Sequence, residues 1–523
     1  MGDVPTVTEL LLARADDPGD GLKFEDRRWS WAEHVRACAE RAELLHGLLR
    51  PGSPPHFGVL ADNVPEFSFL LGGAALSGSV LTGLNPGRRG AALIRDVRLA
   101  DCQVVLAEQR YASLLEDGDV DVLVIGGEEY EDRLRACRGA RPRPVPSTPE
   151  DLLMLIFTSG TSGEPKAVRC THGKIAFPGR MLADRFGLST QDTTYVAMPL
   201  FHSNAVMAGW SVGLAAGAAI ALRRRFSASG FLDDVRKFDA TFANYVGKPL
   251  SYVLATPPRP DDADNPLKIV YGNEGAEADL TKFGERFGCH VLDAFGSTEG
   301  GVNFARDALT PPGSLGRLLD GIRILHPSTG LPCPAAKFDD TGRLLNEAEA
   351  VGELVNTTGA GWFAGYYGDP GAEADRLRGG MYHTGDLAYL DADGFCHFAG
   401  RLGDWLRVDG ENLGTAPIER VLLRHPGITD AAVYAVPDPA VGDQVMAALV
   451  PADGFDPAGL GNFLATQPDL GPKQWPRYVR LVTELPRTAT HKVVKRTLAA
   501  EGLTCPRPIW HRPGRGHDYL PLT

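Results

Sequence analysis

The sequence predicts an α/β protein with largely parallel sheets, and three observations predict it. Short apolar runs alternate with longer amphipathic stretches along most of the chain. The 523 residues exceed what one ordinary core organises, so two or more domains are expected. After about residue 340 the texture changes to strands and turns before a second α/β pattern begins.

The elements follow in chain order. "SWAEHVRACAERAELLHGLL" opens with Ser30 and Glu33, spaced as a capping box, and its apolar residues recur at helical intervals. "FGVLA" (57–61), "CQVVLA" (102–107) and "DVLVIG" (121–126) read as strands, with "FSFLLGGAALSG" a helix among them. The longest apolar run, "GWSVGLAAGAAIAL" (209–222), is interrupted by glycines and is too short to span a bilayer comfortably. It reads as a buried helix followed by the strand "AAIAL" (218–222). "GFLDDVRKF" is a further helix and "KIVYG" (268–272) a further strand. "DADG" (391–394) is a hairpin turn and lacks the ligand spacing and closing glutamate of a calcium loop. The second α/β pattern starts at "APIERVLLRHPGITDAAVYAVPD" and continues through "MAALVPADG" to a late helix from Pro457. A boundary near 401–405 gives a large N-terminal domain, 1–402, and a C-terminal one, 403–523.

Composition excludes several function classes. Hydrophobic content of 43% and charged content of 23% belong to a globular chain. A net charge of −13 argues against nucleic acid as the main partner, since phosphate backbones need a basic face. The eight cysteines are scattered without a Cys-x-x-Cys pair, so structural zinc and a disulfide framework are not expected and a reducing cytoplasm fits best. The first residues lack the basic-then-apolar order of a signal peptide, and the Gly2 start lacks the Ser or Thr of the myristoylation pattern.

"TSGTSGEPKA" (158–167) follows the apolar "LLMLIF" and raises a sharper question. Six small or hydroxylated residues are costly to order, so something must repay their fixation. A flexible linker is one reading and a phosphate loop the other. The loop is not Walker A, because the Gly-Lys-Ser/Thr ending is missing. It still supplies close backbone approach, hydroxyl donors and a mobile cation, which polyphosphate requires.

This loop resembles the phosphate-binding signature of the adenylate-forming enzymes, the superfamily of acyl-CoA synthetases, adenylation domains and luciferases. "PLFHSNA" (199–205), "YGNEGA" (271–276), "DAFGSTEGG" (293–301), "YHTGDLAYLDADGFCHFAGRLGD" (382–404) and "PRTATHKVVKR" (486–496) resemble that family's remaining motifs in the family's order. "GLNPGRRGAAL" near 83–93 and the ending "RPGRGHDYLPLT" resemble its fatty-acid-transport or very-long-chain branch. The resemblance implies two mainly parallel sheets flanked by helices, a small β-barrel-like subdomain, and a mobile C-terminal domain.

It also implies roles, residue by residue. Thr158, Ser159, Gly160, Thr161, Ser162, Gly163 and Lys166 would cradle the β- and γ-phosphates of ATP. Thr298 would contact the α-phosphate, and Glu299, with Thr158, would hold Mg²⁺. Phe295 would face the adenine within the stretch Asp293, Ala294, Gly296 and Ser297, with Gly272, Asn273 and Glu274 as the opposite wall. Asp386 would grip the ribose hydroxyls with support from Arg401. Read alone, Glu299 is a solvated turn residue and Asp386 a turn cap; the flanking motifs give them their chemistry.

Lys492 would bridge the acyl oxygen and the α-phosphate, with Lys495 a competing assignment ranked below it. The first barrier is repulsion between carboxylate and phosphate, so cations, N–H donors and in-line placement are needed rather than a general base. Thioester formation would follow rotation of the C-terminal domain about Gly403 and Asp404, with Gly410 admitting coenzyme A's pantetheine. Asp409 stands where many members of the family have lysine.

For the acid, His202 cannot neutralise an ammonium, which disfavours an amino-acid substrate; a gating role and simple packing both remain open for it. Asn204, Ala205, Trp210, Tyr245, Val246, Gly300 and Gly301 are expected to line a roomy apolar pocket for a long or polycyclic acyl group. The expected activity is ATP-dependent carboxylic acid–CoA ligation through an acyl-adenylate, with ATP, Mg²⁺ and coenzyme A, no stable membrane span and a homodimer admitted. The rivals are an acyl-AMP ligase that loads a carrier protein, an amino-acid adenylation domain and a non-catalytic acyl or nucleotide binder.

Overall fold

Ser30 accepts the amide of Glu33 while the Glu33 carboxylate returns to the amide of Ser30, and this reciprocal cap starts the helix Trp31–Leu48 where the sequence placed it. The computed structural model describes residues 4–522 except 160–164, 305, 307–309, 341, 343, 403–405, 409–410, 439–441, 469, 488–492, 506–507 and 515. The chain forms two compact units, one of Met1–Gly300 with Trp362–Ala374 and the other of Gly301–Gly361 with Asp375–Thr523.

Among the described residues, the first unit holds two seven-stranded sheets. One runs in the order His290–Ala294, Ile269–Asn273, Phe242–Val246, Thr193–Val196, Ala219–Leu222, Asp20–Phe24 and Arg27–Ser30, parallel except for its last pair. The other runs Tyr366–Tyr367, Pro165–Thr171, Leu152–Ser159, Val80–Gly83, His56–Leu60, Val105–Glu108 and Val122–Ile125. Its parallel strands are near-continuous apolar runs because helices cover both faces; Leu153, Met154, Leu155 and Ile156 are all fully buried. The expected strand from 102 is shorter than its apolar run. Asp101 turns left-handed at φ 48 and the Cys102 amide returns to Val97 O, so residues 101–102 close the helix Gly90–Leu99 and the strand starts at Val105.

The run 209–222 resolves as expected into helix, ending at Ala216 with left-handed Gly217, and strand. Val206–Trp210, which overlaps only the first two residues of the run, is π-helical, a local widening that sequence periodicity does not disclose.

The second unit carries an antiparallel sheet in the order Gly316–Arg317, Phe395–Arg401, Met381–Leu390, Gly352–Asn356 and Ile322–Leu325, with the "DADG" turn joining two of its strands. It also carries a sheet built around the long hairpin Ile428–Asp438 and Gly442–Pro451, packed beneath the helix Thr415–Leu422. The late helix is a 3₁₀ turn at Pro457–Gly459 followed by Leu460–Ala465. No described helix is long and apolar enough to cross a membrane.

Candidate active site

The phosphate-loop motif joins two antiparallel strands, Leu152–Ser159 and Pro165–Thr171, whose register sets Thr158 opposite Lys166. Gly160, Thr161, Ser162 and Gly163 lie outside the described residues. The edge strand Tyr366–Tyr367 continues this sheet, pairing Tyr366 with Val168.

Around the expected pair Thr158 and Glu299 gather two residues that the sequence did not announce, Tyr366 and Lys174. Glu299, 9% exposed, accepts the Tyr366 hydroxyl at 3.1 Å and the Thr158 hydroxyl at 3.4 Å, both on Oε1. Its backbone carbonyl accepts Lys174 Nζ at 2.9 Å, and the same ammonium reaches Arg169 O at 3.3 Å. Lys174 is 3% exposed, and burial lowers its pKa. It sits in the first turn of the helix His172–Phe186, whose Thr171 cap accepts its amide. Lys166 Nζ lies 5.1 Å from the centre of the Tyr366 ring. Gly300 has φ +74, and a Cβ there would meet Trp362 Cβ at 3.1 Å, so glycine suits both the turn and the close approach.

The base wall is built at the carboxyl ends of two neighbouring parallel strands, which pair Gly272 with Asp293 and Asn273 with Ala294. A Cβ on Gly272 would stand 2.2 Å from the Tyr245 carbonyl oxygen, so glycine is what lets this strand adjoin Phe242–Val246. Asp293 accepts the Tyr245 hydroxyl at 2.5 Å and the Gly275 amide at 2.9 Å, which ties the wall to the middle of the sheet. Asn273 Nδ2 donates to Ala294 O at 2.8 Å. Glu274 adopts φ 63, rare for a residue with a Cβ, directly after the strand. Phe295 is half-buried, and Gly296 and Ser297 are exposed. Thr298 bonds to Ser203 Oγ at 2.8 Å, a partner that sequence reasoning missed.

On the acyl side, Asn204 belongs to a ladder of amides. It accepts Asn244 Nδ2 at 2.6 Å and donates to Tyr245 O at 3.1 Å and Asn273 Oδ1 at 3.3 Å. Trp210 is fully buried, its indole N–H held by Ser68 Oγ at 2.7 Å. Tyr245 lines a small apolar cavity of about 10 Å³ with Met198, Phe226 and Leu250, while Val246 follows it at the strand end. Ala205 is buried at the start of the π-helical stretch. His202 packs on Phe201, and burial pulls its pKa down to about 4, which makes it neutral near pH 7. Its Nε2 is buried without a partner among the described residues.

Gly301 and the ribose motif belong to the second unit. Asn356 donates to Gly301 O at 2.9 Å, and a Cβ on Gly301 would strike the Tyr382 ring. Asp386 and Arg401 face each other across an antiparallel ladder, with Arg401 Nε 3.6 Å from Asp386 Oδ1. The turn before Asp386 is fixed from within and from the neighbouring strand: the Asp386 amide donates to Thr384 Oγ1 at 2.9 Å, and the Gly385 amide donates to buried Glu353 at 3.0 Å. Lys495 pairs with Glu419 at 2.8 Å and donates to Thr415 Oγ1 at 2.8 Å. Gly403, Asp404, Asp409, Gly410 and Lys492 lie outside the described residues.

One carboxylate with hydroxyl neighbours is a hard-oxygen set that suits Mg²⁺, which takes one or two carboxylates and fills its remaining positions with phosphate oxygens and water. No group of three or more His, Cys, Asp or Glu side chains gathers among the described residues.

Residues 14–367 match the AMP-binding enzyme family and residues 417–492 match the AMP-binding enzyme C-terminal domain. The chain is 57% identical over 508 residues to a medium/long-chain-fatty-acid–CoA ligase of Mycobacterium tuberculosis, covering 97% of this chain and 98% of that one. It is 44% identical over 520 residues to a steroid-22-oyl-CoA synthetase of Rhodococcus jostii, covering 98% and 94%. Its fold matches ATP-bound MatB from Rhodopseudomonas palustris with a TM-score of 0.81 at 22% identity, covering 95% of this chain and 99% of that one. It also matches o-succinylbenzoate CoA synthetase from Bacillus subtilis with its acyl-adenylate, at a TM-score of 0.77 and 23% identity, covering 94% and 97%.

Proposed function

The chain belongs to the AMP-binding enzyme family, and on that premise we propose that it is an ATP-dependent acid–CoA ligase that works through an acyl-adenylate. ATP, Mg²⁺ and coenzyme A are its cosubstrates and cofactor, and the acid is a long-chain or bulky hydrophobic one. The names of the two similar proteins span a fatty acyl and a steroid-22-oyl group, both large and apolar. The observation that carries the reading is the meeting of Thr158, Lys166 and Glu299 at one end of a parallel-rich sheet in a chain with relatives so named.

Lys166 and the loop 160–163 would hold the β- and γ-phosphates, and Glu299 with Thr158 would hold Mg²⁺, which neutralises phosphate charge when bound. Thr298, steadied by Ser203, would meet the α-phosphate. Phe295 and the 272–274 wall would take the adenine, and Asp386 with Arg401 the ribose. The neutral imidazole of His202 adds no charge beside the acid, which suits an apolar acyl group better than an aminoacyl one. Lys492 would supply the cation that brings carboxylate and α-phosphate together, and its departure by rotation about Gly403 and Asp404 would admit the thiol. The pairing of Lys495 with Glu419 supports the choice of Lys492 over it. A division at 402/403 fits the start of the C-terminal family match at 417. The cytoplasm is the proposed compartment and a homodimer an assembly that the chain admits.

The test is Lys492→Ala with a panel of long-chain and polycyclic acids. Pyrophosphate exchange should fall roughly 10²–10³-fold, the scale of losing one preorganised electrostatic group. Thioester formation from supplied acyl-adenylate should persist. Equal loss in both half-reactions would remove Lys492 from its role, and transfer to a carrier protein but not to coenzyme A would replace ligase by carrier loading.

A further inference from the structure

We infer that Tyr366 is a positioning residue that holds Lys166 and Glu299 apart, so that the ammonium stays available to phosphate and the carboxylate to the metal. The inference rests on the ligase reading above and deepens it. The two groups carry opposite charges within one small, partly dry site, where attraction is much stronger than in water. Collapsed on each other, they would neutralise the two charges on which nucleotide binding depends.

The geometry prevents that collapse. The face of the Tyr366 ring takes the Lys166 ammonium at 5.1 Å, while the hydroxyl at its far edge donates to Glu299 Oε1 at 3.1 Å. Among the described residues, no carboxylate pairs with Lys166. The spacer is itself rigid. Tyr366 is 2% exposed, its strand is in register with Val168, its amide donates to Glu373 at 3.3 Å, and Phe363 packs edge-on against its ring at 5.0 Å. Lys174 fixes the main chain of Glu299 by its backbone carbonyl, and the carboxylate can swing toward Lys166 only by breaking its buried bond from the Tyr366 hydroxyl. Phenol and lysine thus divide the work: one holds the side chain, the other the main chain.

Calorimetric titration of the full chain with ATP, once with Mg²⁺ and once with EDTA, tests this. Tyr366→Phe keeps the ring and removes the hydroxyl. It should weaken Mg-ATP binding roughly tenfold and leave Mg-free ATP binding within about twofold of wild type. Tyr366→Leu removes the ring as well, and the collapse of Lys166 onto Glu299 should weaken both titrations roughly tenfold or more. A merely structural tyrosine would lower the melting temperature without separating the titrations. Equal weakening of both titrations in Tyr366→Phe, or wild-type Mg-free binding in Tyr366→Leu, overturns the inference. If the leucine variant does not fold, the phenylalanine variant decides alone. Wild-type protein that binds Mg-ATP but forms no thioester counts against the coenzyme A reading only, whereas wild-type protein that binds neither form of ATP removes both.

Discussion

Glu299 and Asp386 are the two carboxylates proposed to meet the nucleotide and its metal, and they are positioned by different means. Glu299 is held from far along the chain, by Thr158, Lys174 and Tyr366 at separations of 141, 125 and 67 residues. Asp386 is held mainly from nearby, through Thr384 two residues before it and Arg401 across one ladder, with Glu353 of the neighbouring strand accepting the Gly385 amide from 32 residues away. A metal ligand needs a fixed direction and a dry surrounding, which only packed distant segments supply. A ribose ligand needs an acceptor in the right turn, and a short motif can encode that. The difference also runs through the surroundings: the first unit buries charged and titratable groups such as Lys174, His34 and His172, while His383 and His397 of the second sit directly against Glu353 and Asp391.

Acid should break this comparison most strongly. Burial lowers His34 to about 3 and His172 to about 4, with Arg41 adding to the first and Asp151 and Glu9 partly offsetting the second. Folded values below the ordinary 6.5 mean that the unfolded chain binds more protons between the two, so stability is lost as pH falls from about 6.5 toward 4. At pH 5 each of the two should cost about 2 kcal/mol. Hydrogen exchange at pH 7 and pH 5 should show protection lost first around the helices that carry these histidines. Uniform loss across both units would contradict it.

Lys174→Met comes next. It leaves the carbonyls of Glu299 and Arg169 without their buried donor, so the denaturant midpoint should fall by roughly 3 kcal/mol equivalent and pyrophosphate exchange with it. An unchanged midpoint would mean that water replaces the ammonium, and the contrast between long-range and local positioning would lose its strongest support.

The smallest effect is expected from the locally built site. Asp386→Ala should raise the KM for ATP roughly tenfold, about 1.4 kcal/mol, with the KM for the acid unchanged. A shift in the acid's KM instead would move Asp386 out of the nucleotide site.

The same contrast explains what the sequence disclosed. Elements set by local chemistry were legible: the Ser30–Glu33 cap, the "DADG" hairpin, and the break at Gly217 between helix and strand. The strand from 102 was read too early because apolar content outweighed the left-handed turn at Asp101. In the site, motif residues could be named, but Lys174, Ser203 and Tyr366 could not. A lysine in a helix's first turn reads as solvated, and only tertiary packing buries it. Ser203 stood inside the quoted "PLFHSNA" motif, yet its bond to Thr298 spans 95 residues. For Tyr366 the signal was a Gly-bounded pair of tyrosines, which is too common to act on.

The edge strand Tyr366–Tyr367 also imposes an order of events in synthesis. It completes a sheet whose other members all lie before residue 172, and Tyr367 bonds to Asp101 across 266 residues. A ribosome that has released the first 300 residues has therefore made the strands of the phosphate loop, Lys166, Lys174 and Glu299, but not the phenol between them. Domains fold largely as the chain emerges. The nascent first unit must wait, one edge of its sheet unpaired, while the intervening segment of the second unit, residues 301–361, is made. The geometry proposed for magnesium is thus withheld until most of the protein exists.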